Sequence, residues 1–221
     1  MSVFGLRGRG KDLLMSNVVV RRKKPYVSNV DYGGEYHDFM YKDIAVGGNT
    51  YENFIKGDLS HYVWPYPDGT DVYISDAGVY FPSQYCGDLN KRYGQMAVFQ
   101  ALSRHVGKCN FHYNSQALNR VWDKIREQSD HYILCRRCFY LFGLVIQFVT
   151  IYDRYEAAQE KQRPLKLPLP LFASKEMKLQ QEIQYAQYEA QHGRIKNGIL
   201  LYRNKSKYDT RRFKTLLEAG K

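Results

Sequence analysis

Long apolar runs are missing from this 221-residue chain. Its most hydrophobic stretch, Phe139 to Ile146, stops at Gln147 and is soon followed by Asp153 and Arg154. That is too short to cross a bilayer as a helix and rich in β-formers, so it is read as a buried strand. No apolar segment opens the chain either, and nothing at the N-terminus resembles a signal peptide. Cysteine is scarce: Cys86, Cys109, Cys135 and Cys138 are too few for a disulfide scaffold of this length, and a reducing cytosol is the simpler expectation. Acidic residues are outnumbered by basic ones, 22 against 33, for a net charge of +11. Internal repeats are also lacking, which removes solenoid architectures from consideration.

What is present argues for a folded protein. Hydrophobic residues make up 44% of the chain and 20 positions are tyrosine, enough for one good-sized core plus an appendage. The basic excess sits at the two ends. Residues 1–24 hold seven basic side chains against Asp12 alone, and residues 194–221 hold nine against Asp209 and Glu218. Such an imbalance suits a polyanionic partner, either nucleic acid or an anionic membrane surface, although solvated surface charge has the same composition.

The chemistry begins at Gly5-Leu6-Arg7-Gly8-Arg9-Gly10-Lys11-Asp12. Its spacing is that of a Walker A phosphate loop, G-x-x-x-x-G-K, with Asp12 in the place usually held by Ser or Thr. Glycines let backbone N–H groups converge on a phosphate without Cβ clashes, and the helix that follows turns its positive end toward it. Gly5, Gly8, Arg9, Gly10, Lys11 and Asp12 are therefore the candidate nucleotide-binding residues, with Lys11 reaching the β- and γ-phosphates.

Around the loop, Ser2-Val3-Phe4 reads as a strand stub, and the run from Lys11 reads as a helix that ends before Pro25. Tyr26 to Val30 alternates as a second strand. Strand, phosphate loop, helix, strand is the opening of a parallel α/β sheet. Residues 35–69 read as insertion loops with one short helix. Asp71 to Asp76 is a β-rich run ending in an acid, the pattern of a buried parallel strand whose carboxylate faces the ligand crevice. Arg92 to Val106 reads as helix, Cys109 to Tyr113 as strand, Leu118 to Glu127 as helix, and His131 to Arg136 and Leu141 to Tyr152 as strands. Pro164, Pro168 and Pro170 punctuate a connector. Ser174 caps a helix to His192, stopped by Gly193, with Leu179, Ile183, Ala186 and Ala190 on one face expected to dock. Gly198 to Tyr202 is a last strand before a basic tail. The resulting domains are 1–155, a connector over 156–173, and 174–221.

Asp76 is the natural partner of the loop, the acid that holds Mg²⁺ while the metal bridges two phosphates; Asp12 and Asp76 together form the candidate metal site. A catalytic Glu commonly follows that acid, and Ala77 cannot take a proton, so hydrolysis uses another base, is slow, or is absent. Gln116, past the strand from Cys109, is placed to orient water or sense the γ-phosphate. Arg104, at a helix end, and Arg136-Arg137 are candidates to reach a neighbour's phosphate in a ring. Cys109-x-x-His112 with Cys135-x-x-Cys138 imitates zinc spacing, but residues three apart on a strand point to opposite faces.

The ordered set of Gly5–Asp12, Ile74-Ser75-Asp76-Ala77-Gly78-Val79-Tyr80-Phe81-Pro82-Ser83, Leu102 to Gly107, Asn114-Ser115-Gln116-Ala117-Leu118 and Arg136-Arg137 resembles the zonula occludens toxin (Zot) family of filamentous-phage assembly ATPases. The likeness covers about residues 1–155, and Tyr208-Asp209-Thr210-Arg211 is similar to the family too. The resemblance implies a RecA/FtsK-like P-loop NTPase fold, a mostly parallel sheet flanked by helices, here with a C-terminal helical, basic appendage. It implies ATP and Mg²⁺ as ligands and a homo-oligomeric motor for phage assembly or DNA export. Single-stranded phage DNA and assembly proteins at the host inner membrane would be the partners, with the chain itself in the host cytoplasm or peripheral at the membrane. The family pattern is broken at Asp12, Ala77 and Ser115. A non-hydrolysing structural or DNA-binding subunit is the alternative.

Overall fold

The computed structural model describes residues 1–33, 35–38, 66–83, 100, 108–167 and 174–203, with backbone alone at 36–38. One eight-stranded sheet organises them. In chain order the elements are β1 (Ser2–Phe4), α1 (Lys11–Arg22), β2 (Tyr26–Ser28), β3 (Tyr36–Asp38), β4 (Asp71–Ile74), α2 (Ala77–Tyr80), β5 (Phe111–Ser115), α3 (Asp123–Arg126), β6 (Tyr132–Leu141), β7 (Leu144–Tyr152), α4 (Tyr155–Gln159), α5 (Lys175–His192) and β8 (Ile195–Arg203). Across the sheet the strands run β3-β2-β4-β5-β1-β6-β7-β8. The pairs from β3 to β6 are parallel, and β7 and β8 close that edge antiparallel.

The central strands are buried on both faces because helices and loops cover both. On one face Leu14, Met15 and Val19 of α1 pack on Val3, Tyr26, Tyr73, Cys135 and Val149. On the other, Val27, Val72, Ile74 and Tyr113 meet Tyr80, Phe81, Trp122 and Ile125. Each fully buried large aliphatic side chain stabilises the fold by about 1.5–3 kcal/mol. At the far end of α1, Arg22 pairs with the buried carboxylate of Asp71 at the start of β4, and Asn110 donates to the same carboxylate from its backbone and side-chain nitrogens. Helix and strand are thus locked in a fixed axial relation.

Several expectations are corrected. Phe139 to Ile146 is not one buried strand but the tip of the β6–β7 hairpin, where Leu141 pairs with Leu144. Phe142 (φ 47°) and Gly143 (φ 77°) both adopt left-handed backbone, as a two-residue type I′ turn requires, and Phe142 is 99% exposed. Leu118 to Glu127 is not one helix. A 3-10 turn over Leu118–Arg120 is separated from α3 by extended Val121 and Trp122, because Val121 bridges to Pro82 and the Trp122 N–H donates to the Phe81 carbonyl.

Helix α5 has the expected ends, with the Ser174 hydroxyl accepting from the Met177 N–H at 3.2 Å and Gly193 closing it. Its expected docked face is a miss: no α5 residue is buried, and Met177, Leu179 and Ile183 stand exposed. The helix is tied at its C-terminal half instead, by Tyr188 Oη to the Arg163 carbonyl (2.7 Å) and Arg154 to the Ala190 and Gln191 carbonyls (3.2 Å each). The chain then returns as β8, paired with β7 along its whole length. β3 is a strand inside the region read as loops. The helix expected over Arg92–Val106, with Arg104 and His105, lies outside the described residues apart from Gln100, as do 39–65 and the tail with Tyr208 to Arg211. Among the described residues, no helix is long and apolar enough to cross a membrane.

Candidate functional site

The phosphate loop joins the C-terminal end of β1 to α1 and lies on the sheet between two different neighbourhoods. Gly5 passes so close to β6 that a Cβ there would stand 2.6 Å from the Cys135 carbonyl oxygen. Gly10 has φ 76° and would place a Cβ 2.8 Å from Cys138 Sγ; only glycine combines that backbone with that proximity. Gly10 is also the N-cap of α1, with no side chain capping the helix. The first-turn N–H groups and the positive end of the helix dipole are therefore presented to an anion. Lys11 is buried, and its ammonium donates to the Leu6 carbonyl at 3.3 Å across the loop.

The loop is fastened from below by a residue that sequence reasoning passed over. Gln147 on β7, fully buried, donates to the carbonyls of Arg9 (3.2 Å) and Gly10 (3.0 Å), while its own carbonyl accepts from Tyr202 Oη on β8 (2.8 Å). Cys135 Sγ lies 3.2 Å from the same amide nitrogen. Simple alternation put Cys135 and Cys138 on opposite faces. A bulge between Cys135 and Arg137 shifts the register by one and sets both thiols on the loop side, correcting that argument. Burial pushes the Cys135 thiol up to about 12 and also raises Cys138. Cys109 lies outside β5, ahead of it.

On the β4–β5 side the loop meets a polar network. Asp12 Oδ1 accepts from Ser75 Oγ at 2.6 Å and from Asn114 Nδ2 at 2.8 Å. Ser75 is held by Asn29, whose amide accepts from the Ser75 N–H (2.8 Å) and donates to the Ser75 carbonyl (2.9 Å). Asn114 Oδ1 in turn accepts from the Asp76 N–H at 2.9 Å. β5 separates β1 from β4 in the sheet, which is why an Asn at its C-terminal end reaches both loop and strand. β4 itself stops at Ile74, so Asp76 lies past the strand, capping α2 with left-handed backbone (φ 49°). Strain of this kind is costly for a non-glycine residue and is concentrated at functional positions. The Asp76 carboxyl is half-buried and its pKa is raised, first by burial and then by the negative charge of Asp12; Lys11 and Arg7 pull it partway back.

Of the sequence candidates, the structure brings together Gly5, Gly8, Arg9, Gly10, Lys11, Asp12 and Asp76. Gln116 lies just beyond β5, is exposed, and accepts from Arg120 at 3.3 Å. It lines a cavity of about 710 Å³ on the other side of the loop, with Gly5, Leu6, Arg9 and, from β6, Arg136 and Phe139. Arg136 is pinned by Thr150 Oγ1 at 2.6 Å. Ala77 is fully buried in the core with Tyr80 and Phe81. Asn29, Ser75, Asn114 and Gln147 were missed as site residues. The available signal was a polar side chain at the end of an otherwise apolar strand, which is weak without knowing the strand order.

Asp12 and Asp76, two hard oxygen donors held close enough for their charges to interact, suit Mg²⁺ with phosphate oxygens and water completing its shell. Among the described residues no group of three or more His, Cys, Asp or Glu is assembled for a metal.

A parallel sheet with the glycine loop on a central strand, the loop-bearing helix behind it and an acid past a nearby strand end is the P-loop NTPase fold. Among solved structures, the chain is similar to the N-terminal domain of zonular occludens toxin from Neisseria meningitidis. Identity is 13% and TM-score 0.44, over 96% of this chain and 95% of that one. It is also similar to the genome packaging NTPase B204 of Sulfolobus turreted icosahedral virus 2. In complex with sulfate that protein matches at 14% identity and TM-score 0.41, over 78% of this chain and 96% of that one. In complex with ATP-gammaS it matches at 14% and 0.39, over 77% and 97%. No protein-family model matches the sequence, and comparison with curated proteins finds no significant match.

Proposed function

We propose that this chain binds Mg-ATP at the Gly5–Asp12 loop and hydrolyses it to power phage assembly or DNA export at the host inner membrane. The observation that carries the nucleotide half is the uncapped start of α1 with buried Lys11, flanked on one side by Asp12 and Asp76 and on the other by an open cavity. Phosphates lie on the loop N–H groups, and Lys11 exchanges the Leu6 carbonyl for a phosphate oxygen. The γ-phosphate end faces the two acids, where Mg²⁺ would neutralise charge that otherwise repels. The nucleoside falls on the β6 side, in the cavity lined by Gln116, Arg136 and Phe139, which takes Gln116 away from the γ-phosphate and leaves Arg104, from a neighbouring copy, to act there. The biological setting draws its support from the ordered motifs that resemble the Zot family, with single-stranded phage DNA and assembly proteins as partners and the basic residues at both ends as their electrostatic attraction.

The test is calorimetric titration of ATP with and without Mg²⁺, together with turnover, in wild type and Lys11→Ala. The expected result is affinity that depends strongly on Mg²⁺ and hydrolysis that disappears with Lys11. Equal affinity with and without metal sinks the acid-pair reading. Binding without any Lys11-dependent hydrolysis would select the second reading, a non-hydrolysing P-loop subunit, which Ala77 in the place of the usual catalytic Glu favours.

A further inference from the structure

We propose that the hydroxyl and the carboxylate of this phosphate site have traded places between loop and strand, so that the loop supplies the acid, Asp12, and the strand end supplies the hydroxyl, Ser75. The proposal rests on the nucleotide reading above. In the ordinary arrangement the residue after the loop lysine is Ser or Thr, and the acid comes from the end of a nearby strand. Here the residue after the lysine is Asp12, and the residue hydrogen-bonded to it from the strand end is Ser75, at 2.6 Å. One hydroxyl and one carboxylate are both present and in contact, each supplied by the opposite element.

Ser75 is built for that position. Its backbone is gripped on both sides by the Asn29 amide, its side chain is 1% exposed, and Asn114 Nδ2 reaches both its hydroxyl (3.3 Å) and Asp12 (2.8 Å).

In this arrangement Asp12 and Ser75 would together face the cation that accompanies the phosphates, and Asn114 and Asn29 are positioning residues that fix the pair.

Three variants of the full chain test this, with nucleotide affinity in Mg²⁺ as the readout. Asp12→Ser alone is expected to weaken Mg-nucleotide binding at least tenfold, and Ser75→Ala at least fivefold. The exchanged double variant Asp12→Ser/Ser75→Asp restores the ordinary polarity and returns affinity to within about threefold of wild type. A folded double variant that binds no better than Asp12→Ser overturns the exchange. If the double variant does not fold, unchanged affinity in Ser75→Ala overturns it. A wild type that binds no nucleotide in Mg²⁺ removes the underlying site, an outcome distinct from these.

Discussion

Replacing Gly10 by alanine tests whether the loop is held against β6 as tightly as the distances say. Two separate costs arise. Left-handed backbone at φ 76° is open to glycine and disfavoured for alanine by about 1–2 kcal/mol. The new Cβ would also stand 2.8 Å from Cys138 Sγ and 3.0 Å from Cys138 Cβ. Rotating the thiol relieves only the first of these contacts. The loop cannot back away cheaply either, because the Gly10 carbonyl accepts from both the Leu14 N–H (2.9 Å) and Gln147 (3.0 Å). Overpacking of this kind costs about 1–3 kcal/mol, so Gly10→Ala should lose about 2–5 kcal/mol in all. Cys138→Gly removes the two closest atoms and leaves only Gln147 Nε2 at 3.2 Å, so in that background the substitution should cost little more than the backbone share. The difference is a coupling energy of about 1–3 kcal/mol, read from urea midpoints in a double-mutant cycle. A cost for Gly10→Ala that is the same in both backgrounds would refute the packing argument and leave only the backbone one.

Two further outcomes follow from buried polar groups. Gln147→Leu strips the donor from the Arg9 carbonyl, leaves the Gly10 carbonyl with the Leu14 N–H alone, and leaves Tyr202 Oη without its acceptor, each orphaned buried group costing about 1–3 kcal/mol. Adding Tyr202→Phe in that background should be neutral or stabilising by thermal melt, and a further loss of stability would contradict the network. His112, stacked on Tyr73 with ring centroids 4.7 Å apart, has neither ring nitrogen hydrogen-bonded among the described residues. Its pKa is held well below 6.5, first by burial and then by the N-terminal ammonium and Arg22. The unfolded chain therefore takes up the proton first. The stability this neutral imidazole contributes is present above about pH 6.5 and is lost as pH falls below it, by up to about 1.4 kcal/mol per pH unit. Urea midpoints at pH 7.5 and 5.5 should converge for His112→Phe relative to wild type, and an undiminished acid loss in the variant would exclude His112 as the cause.

Local chemistry determined a good part of this protein without reference to its tertiary structure. The spacing from Gly5 to Lys11 specifies a phosphate loop, since glycine backbone freedom and a helix start are properties of a dozen consecutive residues. The β-rich run at Asp71 and the Ser174 cap and Gly193 stop of α5 were legible for the same reason. The strand order decided the rest. Asn114 and Gln147 lie 102 and 137 residues from the loop atoms they bind, and only the placement of β5 between β1 and β4, and of β7 beyond β6, makes them neighbours. A single bulge in β6 moved Cys138 to the loop side against the alternation that the sequence suggests. Asp12 carried the largest reversal. Alone in the sequence it is a substitution that costs the loop its hydroxyl; in the fold it lies against Ser75, because β4 delivers to the loop the group that the loop lacks.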